Sequence, residues 1–161
     1  MPFDIALAAA ALAAATQGVT LFDKIADQVV RFKTKRPLAG EPPQHRMTIE
    51  ESDGELVSKV HGHEVERITA RDLVHLDADV LRHIKVYEES MQNNYTLWEK
   101  VYPQLPLSPP MERARLELQL AQVTDAIGAD LKHILDFLED AGLGLDDHYR
   151  YARDLLAPTT D

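Results

Sequence analysis

The sequence predicts a mainly α-helical protein: an antiparallel helical bundle of three long helices and a short C-terminal one, with a small antiparallel β hairpin or meander inserted after the first helix. Three observations lead there. Apolar side chains recur every three or four residues through three long segments. The period falls to two over one central stretch that holds two Gly-bearing turns. At 161 residues, with 45% hydrophobic and 27% charged composition, the chain fits a single globular domain, 1–161, able to bury a core without staples.

The first helix is expected over residues 3–35, and its halves differ. Residues 5–22, "IALAAAALAAATQGVTLF", carry no charge, and eight of the eleven residues 5–15 are alanine. Alanine has the highest helix propensity but adds little apolar area, so this half is strongly helical and only mildly hydrophobic. From Val19 onward, Val19, Phe22, Ile25, Ala26, Val29 and Phe32 form one stripe, with Asp23, Lys24, Asp27, Gln28 and Arg31 opposite. Gly18 disfavours helix by about 1 kcal/mol relative to Ala and is expected to mark a bend. A linker, 36–45, follows and contains "PLAGEPP".

The β segment is expected over 46–68. Asp53-Gly54 signals a type I′ hairpin, which requires positive φ at both central residues. His61-Gly62 is a second turn. So few residues cannot form a stable sheet alone, and one face should pack on helices. The second long helix is expected over 70–102, capped by Thr69 with Asp72 in the capping-box position and Ile68 and Leu73 as a staple. Its stripe is Leu73, Leu76, Val80, Ile84, Tyr87, Met91, Tyr95, Trp98 and Tyr102. "PQLPLSPP" ends it, and Ser108 as cap with Pro109 at the first helical position opens a third helix over 109–141. Leu116, Leu120, Val123, Ile127, Leu131, Ile134 and Leu138 line that helix, and Gly142 stops it. Asp146 can cap a last helix over 146–156, with Tyr149, Ala152, Leu155 and Leu156 as its apolar side.

Several function classes fall away. A net charge of −10 argues against a nucleic-acid binder, which needs clustered Lys and Arg. The absence of cysteine excludes disulfides, thiolate metal sites and a cysteine nucleophile. The sequence has no serine nucleophile elbow, phosphate-binding glycine loop or zinc-protease motif, and "GLGL" at 142–145 is read as a helix junction. The chain therefore leans away from an enzyme, and no cofactor is expected.

A metal-binding bundle enzyme is the third-ranked reading. His75, Asp79 and His83 share one helical face, and Asp130, His133 and Asp136 lie on the facing helix. This spacing is unspecific, and solvated side chains are the preferred reading. "HGH" at 61–63 is read as a surface loop, and "DDHY" at 146–149 as a capped first helical turn whose acids suit the helix dipole. Tyr87, Tyr95, Trp98 and Tyr102 are read as core, with a small-molecule groove as the alternative.

The opening helix carries the functional expectation. A helix that is apolar all round wants cover on every side, and alanine lets backbones approach closely. Ile5, Leu7, Ala10, Ala11, Leu12, Leu21 and Phe22 are therefore taken as an interaction surface of a non-enzymatic scaffold protein that forms a homo-oligomer or docks a protein partner. The alternative is a membrane-associating bundle that uses residues 5–22. The apolar-then-amphipathic order of the first helix is similar to the opening of helical membrane-acting and signalling domains such as the fungal HeLo-like group, a resemblance that implies this alternative. "MPFD" carries an acid and no base, unlike a secretion signal. A cytoplasmic location is expected, membrane-associated in the alternative.

Overall fold

Helix α1, Ile5–Thr34, is one uninterrupted helix of 30 residues, about 45 Å at the helical rise. It opens a computed structural model that describes residues 5–34, 47–60, 62–143 and 153–155. The linker at 36–45, His61 and the "DDHY" turn lie outside the described residues, as does most of the expected 146–156 helix.

Gly18 does not interrupt α1. Its place is explained by contact: a Cβ there would lie 2.8 Å from Ile134 Cδ1 and 3.6 Å from Met91 Cε. The three long helices meet at this point, and a missing side chain lets them approach. Thr16 is buried beside it, with its hydroxyl donating to the Ala13 carbonyl at 2.8 Å, so no polar group is stranded.

The central segment is a three-stranded meander: β1 (Met47–Ser52), β2 (Glu55–Val60) and β3 (His63–Ile68), in that spatial order and antiparallel throughout. Asp53 and Gly54 both take positive φ, 52° and 77°, as a type I′ turn requires. This turn fixes the register that puts Leu56 opposite Glu51 on one side and Ile68 on the other. Ile49, Leu56 and Ile68 enter the common core, and β1 rests against α1. Exposed ion pairs occupy solvated positions, Lys59–Glu50 at 2.8 Å and Arg67–Glu55 at 3.3 Å.

The second helix starts later than the pattern predicts. Thr69 donates its backbone N–H and its hydroxyl to the Asp72 carboxylate, at 3.0 and 2.8 Å. These bonds hold the Asp72 carboxyl below its ordinary pKa range, the backbone bond most of all. They close only a single 3-10 turn, Ala70–Leu73. The chain then restarts as α2, Ala78–Val101, with Asp77 as the true cap accepting from the Asp79 N–H at 2.8 Å. From Ile84 onward the stripe is as predicted, with Ile84, Met91, Tyr95 and Trp98 buried, and only the first turn differs. Val80, expected inside, is exposed, and Leu81 takes its place in the core.

Between α2 and the last long helix lies a second 3-10 turn, Tyr102–Leu107. Arg113 reaches back across this corner and donates to the carbonyls of Leu105 and Ser108, at 3.1 and 3.3 Å. Ser108 does not cap the next helix, because its hydroxyl donates to the Gln104 carbonyl at 2.8 Å. Helix α3, Pro110–Asp140, is instead preceded by Pro109 and has Pro110 in the first helical position. All seven predicted stripe residues of α3 are buried, joined by Thr124, Gly128, Leu135 and Phe137.

The stop at Gly142 is a Schellman motif. Gly142 has φ +90°, its N–H bonds to Glu139 O at 2.9 Å, and Leu143 N–H bonds to Leu138 O at 3.0 Å. Beyond it, residues 153–155 are helical. Leu155 packs on the core, and Arg153 pairs with Asp136 and Glu139 of α3 at 3.2 and 2.8 Å.

Contacts give the helix directions. His75 meets Asp140, Tyr87 stacks on His133 and Arg113 reaches Leu105, so α2 and α3 run in opposite senses. Gly18 faces Ile134, and Lys33 pairs with Asp125 at 3.3 Å, so α1 runs opposite to α3.

Candidate functional site

The alanine-rich half of α1 is largely covered by its own chain. Ala8, Ala11, Leu12, Ala14, Ala15 and Phe22 are core residues. Of the residues taken as an interaction surface, Ala11, Leu12 and Phe22 are therefore occupied internally. Ala10 is exposed, and Leu7 and Leu21 are half-buried; the Ile5 side chain lies outside the described residues. What remains outward is a narrow strip: Ala6, Ala10 and Gln17 exposed, with Ala9 and Ala13 half-buried beside them. It follows the helical repeat and, among these residues, only Gln17 is polar. Among the described residues no helix is long and apolar enough to cross a membrane.

The histidines do not converge. His75 donates a ring N–H to the Asp140 carbonyl at 2.6 Å. His83 and His133 each donate one to the carbonyl four residues back, Asp79 at 2.5 Å and Ala129 at 2.7 Å. His133 also lies flat on Tyr87, with centroids 4.6 Å apart. Among the described residues no group of three or more His, Asp or Glu comes together to hold a metal ion. His83 and His133 are held by carbonyls of their own helices, and His75 is tied to the C-terminal end of α3.

The aromatic stripe divides. Trp98 is fully buried and Tyr95 nearly so, whereas Tyr87 is half-buried and Tyr102 is 42% exposed. Trp98 stacks on Tyr102 with centroids 4.5 Å apart and takes the edge of Phe32 from α1 at 6.2 Å. These rings join α1 to α2.

Asp130 belongs to a polar group between α2 and α3 whose other members, Ser90 and Asn94, the spacing did not flag. Asn94 donates to the Ser90 hydroxyl at 3.4 Å, and Asp130 lies near Ser90 with its Oδ2 buried without a partner. Burial pushes the Asp130 carboxyl above its ordinary range, against the opposing pull of Ser90 and the nearby His133. A raised folded-state pKa means the folded protein holds this proton more tightly than the unfolded chain. The ionised form is then a liability above the folded-state pKa, and the penalty disappears as pH falls through it toward the unfolded value. Asp130→Asn is expected to raise stability at pH 7 by less than about 1 kcal/mol after solvent screening. Urea denaturation should show the advantage shrinking under acidic conditions; an advantage that persists there would contradict the assignment.

Compared with known proteins, the chain matches no family model, no curated protein and no solved structure.

Proposed function

We propose that this is a non-enzymatic helical interaction protein that self-associates, with a second copy of the chain docking on the outward strip of α1. The observation that supports this reading is the strip itself. After α2, α3 and β1 have packed on α1, Ala6 and Ala10 remain exposed and Ala9 and Ala13 half-covered. Uncharged and built of small side chains, this strip suits a helix arriving at close range.

Light scattering at high micromolar concentration is expected to give a mass above that of one chain. A monomer throughout that range would overturn the proposal. Ala10→Leu refines the test, because Ala10 is exposed in the single chain and the variant should fold within about 0.5 kcal/mol of the parent. In a close helix–helix contact the added bulk is expected to weaken assembly by about 1–3 kcal/mol. If the strip meets lipid instead, the same change adds apolar area and tightens liposome flotation. That result, with assembly unchanged, would replace self-association by membrane association.

A further inference from the structure

Helix α3 carries an apolar strip of its own on the side away from the core. Met111 is 89% exposed and Leu118 62%, and Ala114 and Ala121 are exposed between and beyond them. Steps of three, four and three residues keep these four on one face. At 3.6 residues per turn that face lies opposite the one that buries Leu116, Leu120, Val123 and Ile127. A contiguous strip of this kind marks a contact surface, as scattered single residues do not.

The surface that fits it belongs to the chain itself. The outward strip of α1, Ala6 to Gln17, extends about 17 Å along its helix, and Met111 to Ala121 extends about 15 Å. Their reliefs are opposite. Helix α1 offers methyl groups, whereas α3 offers two long side chains one above the other. Large against small fills the space between two helices at native density. Two alanine strips face to face would bury far less apolar area. Charge favours the same pairing. The chain carries −10, yet residues 5–22 have no charge, and residues 110–121 balance Glu112 and Glu117 against Arg113 and Arg115. Two acidic copies meet through these surfaces with the least mutual repulsion. The strips cannot meet within one chain. Helix α1 runs opposite to α3, with Lys33 at Asp125 and Gly18 at Ile134, so Ala6 and Ala10 lie toward the C-terminal end of α3, far from Met111.

We infer that the α1 strip of one copy docks on the Met111–Leu118 face of α3 in another. The pairing rests on the proposed self-association and names the surface that the second copy brings. Each copy then gives one surface and receives on a different one.

Sedimentation velocity on the full chain and two variants tests this. Met111→Gln/Leu118→Gln removes the α3 face, and Ala10→Glu places a charge in the α1 strip. All three positions are exposed, so both variants should keep an unfolding midpoint close to the parent's. Each variant alone is expected to self-associate at least about tenfold more weakly than the parent. An equimolar mixture is expected to recover a single contact, because the α3 face of Ala10→Glu can receive the α1 strip of Met111→Gln/Leu118→Gln. The product is a 1:1 pair and nothing larger. If the parent assembles and Met111→Gln/Leu118→Gln assembles equally well, α3 is not the receiving face, while self-association through α1 stands. A mixture that stays monomeric where the parent assembles would also overturn the pairing. A monomeric parent would remove self-association and the pairing together. Should the double variant lose its fold, Leu118→Ala takes its place: it is expected to weaken assembly several-fold, and unchanged assembly would count against the α3 face.

Discussion

Trp98→Ala is expected to destabilise the protein by about 3–5 kcal/mol, lowering the thermal midpoint by roughly 6–20 °C. Trp98 is the largest fully buried side chain and lies where α1 and α2 exchange aromatic contacts, with Tyr102 stacked on it and Phe32 and Tyr95 beside it. Its removal deletes a large transfer contribution and leaves a cavity that stiff neighbours fill only in part. Trp98→Phe provides the contrast. The indole N–H has no partner, so its loss forfeits no hydrogen bond, and the smaller ring is expected to cost under about 1.5 kcal/mol. Tyr102→Ala, at a 42% exposed position, should fall well short of Trp98→Ala. Denaturant melts of the three variants give the order; a Trp98→Ala cost below that of Tyr102→Ala would place the stripe outside the core.

Gly18→Leu should be nearly as damaging, at about 3 kcal/mol. The Cβ alone would meet Ile134 Cδ1 at 2.8 Å, with Met91 Cε at 3.6 Å, so the three further carbons of leucine extend into a contact that is already closed. A helix-propensity gain of about 1 kcal/mol offsets part of this loss. Gly18→Ala is expected to be close to neutral, because the obstructing atom is the end of a flexible side chain that can turn aside. Were Gly18 merely a poor helix former at an uncrowded position, both substitutions would stabilise by their propensity alone. Thermal unfolding decides, and a leucine variant as stable as the parent would refute the close approach.

Where local chemistry and periodicity agree, the sequence is sufficient. The alanine run, the Asp53-Gly54 turn, the α3 stripe and the Gly142 stop all appear as their residues imply, because each depends on neighbours within a few positions. The errors have one cause, which is competition between local signals of similar strength. Thr69 and Asp77 both offer an N-terminal cap, and the first closes only a 3-10 turn, so α2 begins at Ala78 and its first buried residue is Leu81 rather than Val80. Ser108 and Pro109 compete in the same way, and the Ser108 hydroxyl goes to Gln104. The candidate sites were less legible. The inward share of the α1 surface depends on how closely α2 and α3 approach, which Gly18 controls from one position. The pair of Lys33 and Asp125 likewise joins residues 92 positions apart, and neither the end of α1 nor the solvated face of α3 announces the other.

The corner between α2 and α3 has a consequence that lies outside the folded state. Pro103, Pro106, Pro109 and Pro110 have their φ angles restricted by their own rings before any helix forms. The disordered chain therefore samples fewer conformations here than an ordinary segment of the same length. Each proline whose fixed angle suits the native turn contributes on the order of 0.4–1 kcal/mol by that restriction alone. Part of what holds α2 against α3 is accordingly entropy that the unfolded chain never possessed, and the Arg113 bonds to Leu105 and Ser108 fasten a corner that was already partly bent.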